Sequence, residues 1–265
     1  MRFIKMHGIG NDYVYVDCFS EMLPESPETL AVKLSRPHFA VGADGLILIE
    51  PSAVADARMR VFNSDGSEAR MCGNGIRCVA KYLYDAGRAR KKTLTIDTRS
   101  GMKRLELLIQ GGLCVGATVD MGEPTVMQPL TLHAASRDWT LLPISMGNPH
   151  AACYLPALPD DALFNEAGAC LERDPHFPER ANIEFCRAVD AAHIQMRVWE
   201  RGSGETLACG TGACAAVVAG ATQGLISRDV DVALAGGTLQ IAWRTDNHVM
   251  MTGPAQVSFT GVWRS

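Results

Sequence analysis

The sequence predicts an α+β fold built from two related halves, and three observations carry that prediction. The turn Cys72-Gly73-Asn74-Gly75 recurs as Cys209-Gly210-Thr211-Gly212, a spacing of 209 − 72 = 137 residues in a chain of 265. Most other segments are short and alternate apolar with polar residues, the period of a half-buried strand. The stretch after Gly212 is apolar on every side, and a helix without a polar face needs a wrapping of strands.

The elements follow in order. Tyr13 to Cys18 reads as a strand. Ser26-Pro27 opens a helix to about Leu34, with a capping serine and a proline at the first helical position. Leu46 to Ile49 and Ala57 to Phe62 are strands. After Gly75, Ile76, Val79, Ala80 and Leu83 fall on one helical face, and Gly87 supplies a left-handed stop. Strands are expected at Leu94 to Asp97, Arg104 to Ile109, Val115 to Met121, Ile194 to Trp199, Thr238 to Trp243 and Val257 to Val262. The wholly apolar helix after Gly212 ends at Gly224. With no polar linker in the chain, the repeat and the turn-rich stretch from Gly116 to Pro124 set the boundary. The first domain is expected to span 1–117, completed by 254–265, and the second 118–253.

Composition narrows the partners. A formal charge of −4 and the lack of a long basic run argue against nucleic acid and membrane surfaces, which require clustered Lys and Arg. No apolar run approaches the roughly 20 residues that span a bilayer, and the start lacks the apolar core of a signal peptide. A cytoplasmic protein with a small-molecule partner is expected. In such a reducing compartment the nine cysteines should remain mostly thiols.

A cysteine just before a helix lies near backbone N–H groups and the positive end of the helix dipole, which lower its pKa. The glycines let amides face outward as a nest for a carboxylate or phosphate. Two such thiols suit stereoinversion beside a carboxylate: one thiolate removes a proton from one face and the other thiol delivers a proton to the opposite face. Glu68 and Glu205 each precede their cysteine by four residues, and Cys78 and Cys214 follow as small buried helix residues. Cys18, Cys114, Cys153, Cys170 and Cys186 are expected to be structural. There is no Cys-x-x-Cys, no His-Glu-x-x-His, no phosphate-binding Gly-x-x-x-x-Gly-Lys loop and no complete dinucleotide fingerprint, so neither metal nor cofactor is expected.

Several longer motifs are then recognisable. They are Lys5-Met6-His7-Gly8-Ile9-Gly10-Asn11-Asp12, Asn63 to Glu68 running into Met71 to Cys78, Gly147-Asn148-Pro149-His150, Glu179 to Phe185, Glu200 to Thr206, and Ala208 to Cys214. In this order, from end to end, the chain closely resembles the diaminopimelate epimerase family. The resemblance implies two pseudo-symmetric domains, each a mixed, largely antiparallel barrel around a central helix, with the active site in the cleft between them. It implies cofactor-independent interconversion of LL- and meso-2,6-diaminoheptanedioate in lysine biosynthesis, with Cys72 and Cys209 as acid and base and a homodimeric assembly.

By the same resemblance Asn11, Asn63, Asn148, Asn182, Glu200 and Arg201 grip the substrate, and the amides of Gly73, Asn74, Gly210 and Thr211 surround the reacting carboxylate. His150 and Glu200 match polar partners that help each cysteine change protonation. The sequence departs from some family members at Gly45, where they carry a glutamine; Asp44 beside it is a candidate structural anchor. Two other classes remain open from the residues: a racemase of another amino acid such as histidine or proline, and a protein without this chemistry, either a thiol redox protein or an anion-binding module.

Overall fold

A computed structural model describes residues 1–264. The chain divides into two compact units, residues 1–119 together with the C-terminal segment from Gly253, and residues 120–252. The first unit contains β1 (Arg2–Gly8), β2 (Asn11–Asp17), α1 (Pro27–Ser35), β3 (Gly45–Glu50), β4 (Ala57–Asn63), β5 (Glu68–Ala69), α2 (Gly73–Asp85), β6 (Thr93–Thr98), β7 (Gly101–Gln110) and β8 (Leu113–Asp120). The second contains β9 (Thr125–Val126), β10 (Leu130–Ala134), β11 (Arg137–Ser145), β12 (Pro149–Tyr154), α3 (Asp161–Glu172) and β13 (Asn182–Asp190). It continues with β14 (His193–Glu200), β15 (Gly204–Glu205), α4 (Gly210–Thr222), β16 (Asp229–Leu234), β17 (Gly237–Trp243) and β18 (Val249–Pro254), and β19 (Gln256–Val262) then pairs with β1.

The duplication read from one turn extends through the whole topology. In the first unit β1/β2 is antiparallel, β2/β3 parallel, β3/β4 antiparallel, β4/β6 parallel, and β6/β7 and β7/β8 antiparallel. The second unit repeats this series with β11/β12, β12/β13, β13/β14, β14/β16, β16/β17 and β17/β18. Helices occupy the same intervals, α1 and α3 in the first parallel crossover of each unit, α2 and α4 in the second. Parallel neighbours need such crossovers because a tight turn reverses the chain.

Local signals account for the helices. Ser26 caps α1 by accepting from Thr29 N at 3.3 Å, Pro27 opens the helix, and Leu30, Ala31 and Leu34 pack with Leu46, Leu48 and Phe62. Helix α2 buries Ile76, Val79, Ala80 and Leu83 and gives way at Gly87, whose φ of 73° is left-handed. Helix α4 is buried from Gly212 to Gly220 without a break, as an all-apolar helix must be, and Gly224 follows with φ 70°.

Two expectations change. Helix α3 has no counterpart in the sequence reading, although Asp160 caps it and Phe164, Ala167, Gly168 and Leu171 form one buried stripe. Its Phe164 ring packs edge-on against Phe185, 5.2 Å between centroids, and Phe185 in turn meets Trp139. The stretch from Val115 to Asp120 is strand, as expected, although it runs into the turn-rich boundary. Gly116 is there for close approach: a Cβ would lie 2.4 Å from Gly253 O. Finally, the implied barrel is an open, curved sheet. Among the described residues the first unit's ladders run from β19 through β1, β2, β3, β4, β6 and β7 to β8, and no ladder returns from β8 to β19. The chain also bonds β8 from Ala255 N to Val115 O.

Gly116→Ala should therefore destabilise the protein by ~2 kcal/mol, because the added methyl meets backbone that cannot turn aside. Urea unfolding curves of the two proteins measure this, and an unchanged midpoint would contradict the tight passage.

Candidate functional site

The two cysteine turns are built alike and furnished differently. Cys72 is the N-cap of α2, extended at φ −133° and ψ 115°, and its Sγ accepts from Gly75 N at 3.3 Å. The thiol donates to Asn11 Oδ1 at 3.3 Å. Asn11 is itself held, since its Nδ2 donates to Asp44 Oδ2 at 2.7 Å and the same oxygen accepts from Asp12 N at 3.0 Å. Asp44 is thus an anchor for a candidate site residue. Lys5 pairs with Asp12 at 2.5 Å and also bonds Gly42 O, which ties this corner together.

Tyr13 lies beside the sulfur, and its hydroxyl favours the thiolate, as do the Gly75 and Asn74 amides and the charge of the fully buried Arg77. Arg77 donates from Nη1 to Gly73 O and from Nε to Pro254 O, 3.2 Å each. Asn63 ends β4 opposite Gly45, which stands opposite Tyr13, so these positions share one level of the sheet. The Asn63 Nδ2 donates to Ser67 Oγ at 3.0 Å. No side chain fits at Gly45, because a Cβ would lie 2.0 Å from Phe62 O and 2.9 Å from Tyr13 Cε1. The departure from glutamine is a packing requirement of this chain.

In the second unit Cys209 is the N-cap of α4 at φ −121° and ψ 109°, with no capping bond from its side chain. Its Sγ lies 3.7 Å from Thr211 Oγ1. Thr211 Oγ1 accepts from Asn148 Nδ2 at 3.4 Å, and Asn148 Oδ1 meets His150 Nε2 at 3.1 Å. His150 Nδ1 meets Glu184 Oε1 at 2.6 Å, both side chains inaccessible to solvent. Asn182 is a brace: Nδ2 donates to Pro149 O at 3.0 Å and Oδ1 accepts from Arg201 N at 2.9 Å. Arg201 Nη1 donates to Glu179 O at 2.9 Å, and Glu200 Oε1 accepts from the Thr206 hydroxyl.

Asn148, His150 and Thr211 thus join a network ending at Cys209, and Asn182 supports Arg201. Glu68 and Glu205, aligned with the thiols in the sequence, turn instead to arginines: Glu68 pairs with Arg60 and Glu205 with Arg197, each at 2.8 Å. Tyr13, Arg77, Glu184 and Glu172 were not singled out from sequence. Glu172 accepts from Gly202 N at 2.9 Å and from Trp199 Nε1 at 3.1 Å, pinning the turn that carries Glu200 and Arg201. Of these, Glu184 left a trace in the sequence, as a single charge between Ile183 and Phe185. Cys78 and Cys214 are buried, whereas Cys170 is exposed.

The helix starts do not produce the low thiol pKa expected from sequence. Burial pushes the Cys72 thiol up, more than the Gly75 and Asn74 amides, Tyr13 and Arg77 pull it down. Burial likewise pushes Cys209 well up, aided by the negative charges of Glu200 and Glu184 and opposed by the Gly212 amide and the Thr211 hydroxyl. Desolvation of the sulfur outweighs the helix dipole, whose influence is usually below ~1 kcal/mol at a surface.

A mixed α+β chain of two like-built units, each with a cysteine at the N-cap position of a helix, defines the class of protein, and solved structures share this fold. A probable proline racemase from Agrobacterium radiobacter superposes with a TM-score of 0.77 at 15% identity, covering 99% of this chain and 92% of that one. A phenazine biosynthesis protein of the PhzF family from Bacillus anthracis gives a TM-score of 0.74 at 17% identity, covering 100% and 99%.

The family model for diaminopimelate epimerase matches residues 3–127 and 143–258. The diaminopimelate epimerase of Desulfovibrio desulfuricans is 47% identical over 98% of this chain and 97% of its own length. That of Acetivibrio thermocellus is 48% identical over 98% of both chains, and that of Methanococcus maripaludis 45% identical over 98% and 99%. The chain belongs to the diaminopimelate epimerase family.

Alkylation by iodoacetamide across a pH series, with sites mapped by mass spectrometry, should find both capping thiols slow at neutral pH. Their rates rise as the medium becomes alkaline, since thiolate is the reacting form. Cys72 should respond at lower pH than Cys209, because two carboxylates oppose ionisation only at the latter. The reverse order would contradict the assigned causes.

Proposed function

We propose that the protein interconverts LL- and meso-2,6-diaminoheptanedioate without a cofactor, using Cys72 and Cys209 as the acid–base pair. The carrying observation is that each unit places a cysteine at the N-cap of its central helix, beside the first-turn amides of Gly73 and Asn74 or of Gly210 and Thr211. Family membership supports the substrate. One thiolate takes the α-proton, its electron pair remains on carbon beside the carboxylate, and the other thiol returns a proton to the opposite face. The reverse reaction exchanges the roles.

The raised thiol pKa values suit this cycle. A resting thiol is the proton donor that the reaction needs, and the opposing thiolate is a strong base once water is excluded. The first-turn amides stabilise negative charge that grows on the substrate carboxylate as the α-proton leaves. Arg201 can fork onto the distal carboxylate, while Asn11, Asn63, Asn148 and Asn182 supply carboxamides able both to donate and accept. His150 and Glu200 serve the protonation of the thiols. A cytoplasmic homodimer is part of the same reading and follows the resemblance.

Incubation with diaminopimelate, histidine and proline in deuterated water tests reaction and substrate together. The expected result is α-deuterium in diaminopimelate alone; exchange confined to histidine or proline would overturn the substrate. Cys72→Ser and Cys209→Ser should each lower kcat for epimerisation by about 10²-fold or more, since a hydroxyl is a far weaker acid and base. Full turnover in both variants would refute the two-thiol mechanism.

A further inference from the structure

The parallel ladders align the two units residue by residue. The β2/β3 ladder begins with Tyr13 opposite Gly45, and β12/β13 begins with His150 opposite Asn182. Tyr13 therefore corresponds to His150 and, two residues beyond Gly45 and Asn182, Ile47 corresponds to Glu184. The helix starts agree with this alignment. A Cβ on Gly75 would meet Ile47 Cδ1 at 2.5 Å, and a Cβ on Gly212 would meet Glu184 Oε1 at 2.7 Å. Where the first unit puts a methyl group under its helix, the second puts a carboxyl group.

That carboxyl group is fully buried and needs a partner. His150 Nδ1 provides it at 2.6 Å, while Glu184 Oε2 has no hydrogen-bond partner. The other ring nitrogen, Nε2, faces the acceptor Asn148 Oδ1 at 3.1 Å, so Nε2 carries a hydrogen. One further proton is then shared between Nδ1 and Oε1. Burial raises the Glu184 pKa, and an unbonded Oε2 is tolerated better as carbonyl than as carboxylate, so the proton rests on Glu184. Asn148 continues the chain to Thr211 at 3.4 Å, and Thr211 lies 3.7 Å from the Cys209 sulfur.

We propose that Glu184 is a positioning residue for the Cys209 half of the reaction: by bonding His150 Nδ1 it holds the hydrogen on Nε2, which orients the Asn148 carboxamide and, through it, the Thr211 hydroxyl at the thiol. This rests on the reading of Cys209 as an acid–base group. Glu184 acts through His150 and has no access to substrate. The first unit needs no such device, because the Tyr13 hydroxyl serves Cys72 directly and Ile47 fills the space. The related halves thus supply chemically distinct thiols.

The variants E184Q and E184I test this. E184Q offers an amide N–H to Nδ1 and keeps the ring in place, whereas E184I installs the side chain of the corresponding first-unit position and leaves Nδ1 without a partner. NMR of protein with 15N-labelled histidine, with H150N identifying the signal, should show a slowly exchanging Nε2–H for His150 in the parent and in E184Q and none in E184I. With diaminopimelate, kcat should fall about tenfold or more in E184I with KM nearly unchanged, and stay within about threefold in E184Q. Unchanged alkylation of Cys72 in E184I reports an intact first unit.

Persistence of the ring hydrogen in E184I, its loss in folded E184Q, or parental kcat in E184I overturns the proposal. Should E184I fail to fold, E184Q decides by keeping or losing that hydrogen. Should the parent not act on diaminopimelate, the proposed reaction fails, and the ring hydrogen still decides the link from Glu184 to His150.

Discussion

The close approach of each helix start to its own sheet governs the rest of the structure. Gly75 and Gly212 sit where any side chain would penetrate Ile47 or Glu184. The absence of a Cβ lets the first turn of α2 and of α4 press onto the strand beneath, with the cysteine three residues earlier at the N-cap. The helix amides, the sulfur and the strand residue form one rigid unit because they are packed at close contact, with no room for rearrangement.

The same packing decides the chemistry of the sulfur. A helix N-terminus alone would make the thiols acidic, yet burial removes water from around them and that effect is larger. The amides still act on the sulfurs against that effect: Gly75 N bonds Cys72 Sγ at 3.3 Å, and the Gly212 amide opposes the rise at Cys209.

Duplication of topology has not meant duplication of the thiol surroundings. The order and direction of six successive strand pairings coincide, and so do the ion pairs Arg60–Glu68 and Arg197–Glu205 that hold β5 and β15 to their neighbours. Between these shared features the first unit sets Tyr13, Arg77 and Asn11 near its cysteine, and the second sets Thr211, Asn148, His150 and Glu184. Scaffold residues answer to backbone geometry common to both units, whereas the residues near the sulfurs differ from one unit to the other.

Much of this was legible in the chain. The repeated Cys-Gly turns, the proline and glycine punctuation of α1, α2 and α4, and the alternating strands are local signals, and local sterics determine them. The candidate residues were legible through long motifs, and Asp44 as a candidate anchor through its place beside Gly45. What sequence did not disclose depends on residues far apart in the chain. The thiols' raised pKa values come from burial, which is a property of the whole packed unit. The need for glycine at 116 comes from the passage of Gly253. The pairing of Glu184 with His150 comes from the β12/β13 register, which sets residues 34 apart side by side. Sequence by itself determined two related halves, their helix-capping cysteines and the family; tertiary structure decided which groups surround each sulfur, because desolvation and hydrogen bonding act through space and have no signature along the chain.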